Sequence, residues 1–234
     1  MQFEERLARI RAFLEEKADS CDEELLHCIK ELLKICQELY TQASVDFLTG
    51  LYNRRFFDRE LELAVERAQR ERLVFSLILM DIDHFKIIND RYGHVMGDEV
   101  LKRLGALIKN TFRKIDIPAR YGGEEFAIIL PGTGFEGALS AARRFQKRLS
   151  QEEFGPSENP FKVTVSMGVG TYRPLSKLSA QEFLKEVDYF LYRAKEAGRN
   201  QIFPSSPEDK LAPEPEGISL EERQALKGVW LHDD

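Results

Sequence analysis

Two clusters of acidic residues in this chain have the residue types and spacing to bind a divalent metal ion. In the first, Arg120-Tyr-Gly-Gly-Glu-Glu-Phe126, two glycines precede Glu124 and Glu125. Paired glycines can supply the positive φ angles of a two-residue hairpin turn, which would present both carboxylates at a fixed tip. An exposed acidic turn without a ligand is an equally ordinary interpretation, since glycines beside acids are common in turns.

The second cluster follows a predicted buried strand. Residues 73–80 form a continuous apolar run typical of such a strand, and Asp81 and Asp83 come after it. If the backbone stays extended, both carboxylates point to the same side. Carboxylates at the end of a buried strand are unfavourable unless they are paired, hydrated or bound to a cation. The two clusters together suit a hard divalent metal, but the spacing alone leaves open whether they meet.

The elements that would position these side chains predict an α+β fold. Helical patterns cover residues 53–71, 97–112, 135–149 and 179–197, and Gly198 fits a helix C-cap. Strands are predicted at residues 73–81, 117–121, 125–131, 161–170 and 201–203. This order indicates a mostly antiparallel, five-stranded central sheet flanked by helices. The 234 residues suffice for one such domain with further segments at its ends.

Residues 1–44 predict helix with a heptad-like apolar stripe. The stripe consists of Phe3, Leu7, Ile10, Leu14, Leu25, Cys28, Leu32, Ile35 and Leu39. Its phase shifts after Leu14, and Ser20-Cys-Asp-Glu23 resembles a capping box, which favours a helical hairpin turning near Asp19 over one long stalk helix with a stutter. Either form leaves an apolar stripe that needs a partner in this chain or in a second chain. Cys21, Cys28 and Cys36 are interpreted as small apolar helix residues.

Composition excludes several classes of protein. The net charge of −6 argues against a nucleic-acid-binding surface. The apolar run at residues 73–80 is far shorter than the ~20 residues that cross a bilayer, and the N-terminal residues do not resemble a signal peptide. We therefore expect a soluble, cytoplasmic protein that binds neither nucleic acid nor membrane. Residues 205–234 predict a Pro- and Glu-rich tail with a short helix near Trp230.

Five motifs, in order, resemble those of the GGDEF family of diguanylate cyclases, in its Gly-Gly-Glu-Glu-Phe form. They are residues 46–55, 81–90, 93–98, 120–126 and 194–200. The resemblance implies a fold similar to the palm of nucleotide polymerases and nucleotide cyclases. It implies an enzyme that condenses two GTP molecules into cyclic di-GMP and two pyrophosphates. It also divides the chain into a helical dimerisation or regulatory segment (1–44), a GGDEF catalytic domain (45–204) and a tail (205–234).

The resemblance assigns the metal ligands and catalytic residues. Asp81 and Glu124 would bind Mg²⁺ together with the carbonyl of Ile82. Two ions per half-site are expected, with Mn²⁺ able to substitute and Glu125 assisting the second ion.

The resemblance also assigns the substrate contacts. Asn89 and Asp98 match the family's guanine contacts, and an acid that accepts hydrogen bonds from guanine would be left unsatisfied by adenine. The phosphates would contact backbone amides in the loop after the strand, and two cations four residues apart near a helix end. These residues are His84, Phe85 and Lys86 for the amides, and Lys195 and Arg199 for the cations.

Two further expectations concern assembly and regulation. Because the product is two-fold symmetric, two protomers would face each other, joined as a homodimer through the N-terminal helices. Arg113-Lys-Ile-Asp116 resembles the family's inhibitory site for the product cyclic di-GMP, with Arg144 as a further contact, although Arg113 and Asp116 could also form a plain surface salt bridge. Two alternatives remain: a catalytically weak GGDEF sensor that binds GTP or cyclic di-GMP, and a related enzyme with a mixed-nucleotide product.

Overall fold

The computed structural model describes residues 3–16, 23–173 and 175–204. The helices are α1 (Phe3–Glu16), α2 (Glu23–Ser44), α3 (Arg54–Glu71), α4 (Phe85–Tyr92), α5 (His94–Thr111), α6 (Phe135–Gln151) and α7 (Ala180–Glu196). The strands are β1 (Tyr52–Asn53), β2 (Phe75–Ile82), β3 (Ile117–Arg120), β4 (Glu125–Pro131), β5 (Val165–Tyr172) and β6 (Ile202–Pro204). The predicted tail and the predicted capping box at Ser20 lie outside the described residues.

A single sheet contains these strands in the order β1-β3-β4-β2-β5-β6. The inner pairs β3–β4, β4–β2 and β2–β5 are antiparallel, and the edge pairs β1–β3 and β5–β6 are parallel. The prediction of a mostly antiparallel sheet flanked by helices is confirmed. The predicted strand number of five is wrong, because the additional strand, β1, has only two residues and leaves no alternating pattern in the sequence.

Strand β2 is the central element of the fold, and its two faces contact two separate hydrophobic cores. Ile78, Met80 and Ile82 pack with buried residues of α5 and α6. Leu77 and Leu79, on the opposite face, pack with α3 and α7. Every residue of β2 is buried, which explains why its sequence is mostly apolar, with Ser76 and Asp81 as exceptions, rather than alternating.

Several helix boundaries follow local sequence signals, and others do not. The side chain of Asn53 caps α3 by accepting a hydrogen bond from the amide of Phe56 at 3.0 Å. Ser179 and Glu182 form a capping box at the start of α7. In contrast, α5 begins at His94 rather than at the predicted Gly97, and β5 begins at Val165 rather than at residue 161. Helix α4, Phe85–Tyr92, occupies a segment that was predicted to be a loop.

The two N-terminal helices pack against each other. Leu7 and Leu14 of α1 form a buried cluster with Leu33 of α2, and Ile29 packs against it. A single long helix could not bring Leu7 and Leu33 together, so the packing favours the hairpin of the two predicted alternatives.

The predicted stripe on α2 lies away from this contact. Leu32, Ile35 and Leu39 are 58%, 49% and 59% exposed. Cys28 and Cys36, also on α2, are free thiols. Among the described residues, no helix has the length and apolar character needed to cross a bilayer.

Candidate active site

The two acidic clusters meet at one end of the sheet. Strand β2 carries Asp81 and pairs with β4 in a register that sets Asp81 opposite Glu125. One residue further along each strand, the amide of Ile82 donates to the carbonyl of Glu124 at 3.2 Å. This hydrogen-bond ladder brings the two acidic segments together, and the charges of Glu124 and Glu125 act on the carboxyl of Asp81, which the spacing in the sequence had left open.

The glycine turn differs from the predicted two-residue turn. Neither Gly122 nor Gly123 has a positive φ, and the amides of both Tyr121 and Gly122 donate to the carbonyl of Glu125. A Cβ atom at Gly122 would lie 2.3 Å from Oε2 of Glu125, so this glycine makes room for the folded-back carboxylate. Nothing lies within 4 Å of a Cβ atom at Gly123, which leaves that side of the turn open. The glycines therefore provide space rather than unusual backbone angles.

Arg120 holds the turn in place and was not predicted as a site residue. Its Nε and Nη2 atoms donate to the carbonyl of Gly123 at 3.2 and 2.8 Å. Its Nη1 atom lies 3.3 Å from Oδ2 of Asp46, whose Oδ1 atom also accepts hydrogen bonds from the amide and hydroxyl of Thr49. Asp46 and Arg120 lie in the motifs at residues 46–55 and 120–126. Their contact could not be predicted, because no spacing rule pairs residues this far apart in sequence.

Asp81 is buried next to a cation. Nζ of Lys195 lies 2.7 Å from Oδ2 of Asp81, and the Asp81 side chain is 5% exposed. The contact is an ion pair, and among the described residues Oδ2 of Asp81 has no hydrogen-bond partner. The pKa of Asp81 is raised from its ordinary 3.8 to about 6. Burial is the largest cause, Lys195 lowers the pKa, and the nearby charges of Glu124 and Glu125 raise it.

These residues fit a magnesium ion. Asp81 and Glu124 offer two carboxylates, and the backbone of Ile82 lies between them in the same ladder. Within the described ranges, no three His, Cys, Asp or Glu side chains form a cluster that could hold a metal. Mg²⁺ keeps several waters and needs only one or two protein carboxylates, so a pair with a buried oxygen that lacks a hydrogen-bond donor suits it.

Asp83 does not join the acidic cluster, contrary to the expectation from its spacing. Its carboxylate accepts hydrogen bonds from the hydroxyls of Thr164 and Ser166 and from the amide of Asn200, at 2.7, 2.6 and 2.9 Å. A carboxylate with three donors is already satisfied, so Asp83 is not a free metal ligand.

The two predicted guanine contacts lie on neighbouring helices. Asn89 is on α4 and Asp98 is exposed on α5. A Cβ atom at Gly97 would lie 1.9 Å from Oδ1 of Asn89, so the close approach of α5 to this side chain requires glycine. Because α5 starts at His94, Asp98 lies inside the helix and is not its N-cap.

The three predicted phosphate-binding amides lie at the start of a helix rather than in a loop. His84 is the N-cap of α4 in the left-handed region, with φ of 56°, and Phe85 and Lys86 form the first turn. Amides of a first turn have no carbonyl acceptor within the helix and are available to an anion. The side chains of His84 and His94 are both exposed.

Lys195 and Arg199 belong to different local structures. Lys195 is in the last turn of α7, whereas Arg199 follows the helix with φ of 62°. The amide of Arg199 donates to the carbonyl of Ala194 at 3.1 Å, and Gly198 has φ of 104°, as in a Schellman motif. Lys195 therefore lies on α7, and Arg199 lies just past the helix end, four residues further along the chain.

The family is settled by a sequence profile. The profile described as "Diguanylate cyclase, GGDEF domain" matches residues 43–201, which is more than half of the chain. The chain belongs to the GGDEF family. The matched residues therefore contain strands β1 to β5 of the sheet, with the acidic residues described above, and end just before β6.

Similar proteins extend this assignment. The GGDEF domain is 43% identical to the uncharacterized protein YhcK of Bacillus subtilis over 163 residues, 69% of this chain and 45% of YhcK. It is 37% identical to the diguanylate cyclase DgcS of Shewanella oneidensis over 164 residues, 70% of this chain and 53% of DgcS. The chain thus spans about half the length of these relatives.

A solved structure covers more of the chain. It contains the coiled coil and GGDEF domain of DgcB from Caulobacter crescentus in complex with c-di-GMP. The TM-score is 0.71 at 27% identity, and the match covers 84% of this chain and 99% of that one. Part of the region before the GGDEF domain is therefore included in the structural similarity.

The predicted inhibitory residues lie around the turn after α5 of the GGDEF domain. Oδ2 of Asp116 accepts a hydrogen bond from the amide of Arg113 at 2.7 Å, and the Arg113 side chain is exposed. Burial raises the pKa of Asp116, while Arg113 and Arg144 lower it. The guanidinium of Arg144 donates to the carbonyl of Thr111 at 3.3 Å. The contact between Arg113 and Asp116 is thus a backbone turn rather than a surface salt bridge.

Proposed function

We propose that this protein is an active diguanylate cyclase that condenses two GTP molecules into cyclic di-GMP and two pyrophosphates. The observation that carries the proposal is that the end of β2, which carries Asp81, pairs with the backbone of Glu124 and Glu125, with Lys195 against Asp81. Degenerate members of a nucleotide-cyclase family would be expected to lack a metal or guanine residue. Asp81, Glu124, Asn89 and Asp98 are all present.

Guanine recognition falls to Asn89 and Asp98. The carboxylate of Asp98 is exposed on α5, close to the point where Gly97 contacts Asn89. A carboxylate and an amide oxygen can accept from N1 and N2 of guanine, whereas adenine lacks these donors and would leave the acceptors unsatisfied. Selectivity for GTP over ATP follows from this difference.

The phosphates would lie between the first turn of α4 and two cations, Lys195 in the last turn of α7 and Arg199 just after that helix. The amides of His84, Phe85 and Lys86 would donate to phosphate oxygens at one end, and Lys195 and Arg199 would contribute positive charge at the other. Lys195 already lies at the metal ligand Asp81, so the triphosphate and the metal would share one edge of the sheet.

In each of the two reactions, the 3′-hydroxyl of one GTP attacks the α-phosphate of the other, an O–P bond forms, and the bond to pyrophosphate breaks. The hydroxyl proton leaves to solvent or to the departing phosphate. Asp81, Glu124 and the carbonyl of Ile82 would hold Mg²⁺, two ions per half-site with the help of Glu125, and Mn²⁺ would fit the same oxygen ligands. When bound, the metal offsets negative charge at the reacting phosphate. The protein residues position and bind the substrate, which is the main requirement of phosphoryl transfer.

The reaction requires two protomers, because one GGDEF domain offers one GTP site and the product is two-fold symmetric. The exposed apolar stripe of α2, formed by Leu32, Ile35 and Leu39 together with the exposed Cys28, gives a homodimer a contact surface. The hairpin leaves this stripe free, because α1 packs on the face of α2 that carries Leu33.

Product inhibition would act through Arg113, Asp116 and Arg144. The exposed guanidinium of Arg113 can contact a phosphate or a guanine edge of cyclic di-GMP, and Arg144 lies near enough to influence the charge of Asp116. The turn held by Asp116 would set the direction of Arg113.

The experiment that tests the function is incubation with GTP, ATP or both in the presence of Mg²⁺, followed by chromatography of the products. We expect cyclic di-GMP from GTP alone. A dimeric preparation that binds GTP but forms no cyclic di-GMP would show a sensor instead of an enzyme. A mixed product from both nucleotides would overturn the assigned selectivity.

A further inference from the structure

We infer that Asp83 is a positioning residue that holds the loop after α7 in the conformation that directs Arg199 to the triphosphate. The inference rests on the proposed function, which gives Arg199 its phosphate. It concerns a carboxylate that lies two positions from Asp81 but contacts neither Glu124 nor Lys195 in the described structure.

The carboxylate of Asp83 is buried and connects three parts of the fold by hydrogen bonds. Its side chain is 5% exposed. Oδ1 accepts from the hydroxyl of Ser166 at 2.6 Å, and Oδ2 accepts from the hydroxyl of Thr164 at 2.7 Å and from the amide of Asn200 at 2.9 Å. The end of β2, the strand β5 and the loop after α7 are thereby joined at a single carboxylate.

The loop after α7 needs such a restraint. Arg199 and Asn200 have φ angles of 62° and 49°, and neither is glycine. Left-handed backbone is unfavourable for arginine, although asparagine tolerates it, and two such residues in a row persist only when the surrounding structure enforces them. The carbonyl of Ala194 binds the amide of Arg199, and Asp83 binds the amide of Asn200, so the two amides that flank the Arg199 residue are both fixed.

These contacts connect the loop to the metal-binding edge. Lys195, at the end of α7, lies against Asp81, and Asn200, just past that end, is bound to Asp83. Asp81, near the end of β2, thus contacts the last turn of α7, and Asp83, just after β2, contacts the loop that follows α7. The contact between Asp83 and the Asn200 amide does not depend on the Lys195–Asp81 pair, so the loop that carries Arg199 is ordered before the nucleotide arrives, which lowers the ordering cost of binding.

The test compares the affinities of the full chain for α,β-methylene-GTP, which cannot release pyrophosphate, and for GMP, by titration calorimetry with Mg²⁺. We expect Asp83→Ala to weaken binding of the triphosphate analogue about tenfold and to leave GMP binding within about twofold. Arg199→Ala should do the same. The double variant should bind the analogue at most about twofold more weakly than the single variant with the lower affinity. The two losses should not add, because both substitutions remove the same phosphate contact.

A conservative variant distinguishes positioning from a direct charge effect. In Asp83→Asn, the amide oxygen can accept from Asn200 while the amide nitrogen donates to the hydroxyl of Ser166, so analogue binding should stay within about threefold of wild type. Equal losses in Asp83→Asn and Asp83→Ala would overturn the inference, as would additive losses in the double variant. The titrations do not depend on turnover, so a wild type that forms no cyclic di-GMP contradicts the proposed function and not the positioning role.

If Asp83→Ala does not fold, hydrogen exchange of the wild type tests whether the loop after α7 is ordered before the nucleotide binds. The amides of Arg199 and Asn200 should be protected in the nucleotide-free protein and gain little on addition of the analogue. Free exchange of both amides that becomes protection only with the analogue would mean that the nucleotide, and not Asp83, orders the loop.

Discussion

Lys195 is paired with Asp81 at 2.7 Å, so the cation proposed for the triphosphate neutralises the carboxylate proposed for the metal. The carboxylate is almost fully buried and would be unstable as an isolated charge. Binding of Mg²⁺ and GTP would replace this pair, since the metal takes the carboxylate and the phosphates take the ammonium. The pair therefore connects the acid–base properties of Asp81 with the affinity of the site for metal.

Metal affinity should fall below about pH 6. Burial raises the pKa of Asp81 from 3.8 to about 6, and a protonated carboxyl does not bind Mg²⁺. Above this pH the carboxylate is available and the affinity should be constant. Below it the affinity should drop by about tenfold per pH unit, because one proton competes for the site. Calorimetric titration of the nucleotide-free protein with Mg²⁺ between pH 5 and 8 measures the profile.

The Lys195→Met variant is the control for this profile. Lys195 lowers the pKa of Asp81, so its removal should raise that pKa and move the loss of metal affinity to higher pH. A profile that moves to lower pH, or stays in place, would contradict the role assigned to the pair.

Glu124→Gln should abolish turnover while the protein stays folded. The substitution keeps the shape of the side chain and removes a negative charge that acts on Asp81, so kcat should fall about 100-fold or more. The rate of cyclic di-GMP formation measures the effect, and thermal unfolding checks the fold. Glu158→Gln, the same change at an exposed loop residue, should keep wild-type turnover. Near-wild-type turnover in Glu124→Gln would exclude the metal role.

The sequence predicts the parts of this site that depend on local patterns and motif order. The apolar run that ends at Asp81 predicted β2, and β3 and β4 surround the glycine turn as expected. Long-range hydrogen bonds could not be predicted. The link from Asp46 through Arg120 to Gly123, and the three donors to Asp83, depend on how distant segments meet in the sheet.

One error has a simple physical origin. The predicted positive φ of the turn glycines is wrong, because Gly122 provides the space over which Glu125 folds. The apolar stripe of α2 is a different case, since periodicity finds an apolar helix face without finding its partner. The hairpin contact uses Ile29 and Leu33 and leaves the stripe exposed.

Gly97→Ala should weaken GTP binding through Asn89. The added methyl would lie 1.9 Å from Oδ1 of Asn89 and must displace that side chain from its position. Loss of one guanine acceptor should lower the affinity for α,β-methylene-GTP about tenfold, with a smaller loss for the ATP analogue. Gly134→Ala is the matched control, since nothing lies within 4 Å of its Cβ atom. Equal losses for both analogues would show a general packing defect.

Arg113→Ala should relieve product inhibition. The Arg113 side chain is exposed, and the turn is held by its backbone amide, so the substitution removes a guanidinium without breaking the bond to Asp116. The concentration of cyclic di-GMP that halves the rate should rise about tenfold or more, as expected for a lost charge-assisted contact. Lys114→Ala, at the exposed neighbouring residue, should keep the wild-type inhibition curve. An unchanged curve for Arg113→Ala would remove this site from the regulation.

Leu32→Glu should dissociate the homodimer and reduce activity with it. Leu32 lies in the middle of the exposed stripe of α2, and a dimer would bury it twice, once in each protomer. Burying a charge in place of leucine should raise the dimer dissociation constant about 100-fold or more. Light scattering over a dilution series measures the assembly, and turnover per protomer should fall in parallel. Lys34→Glu is the control, since it changes the net charge by more than Leu32→Glu does, at an exposed residue outside the stripe, and should leave the dimer intact. A monomeric wild type with full activity would refute both the interface and the need for two facing protomers.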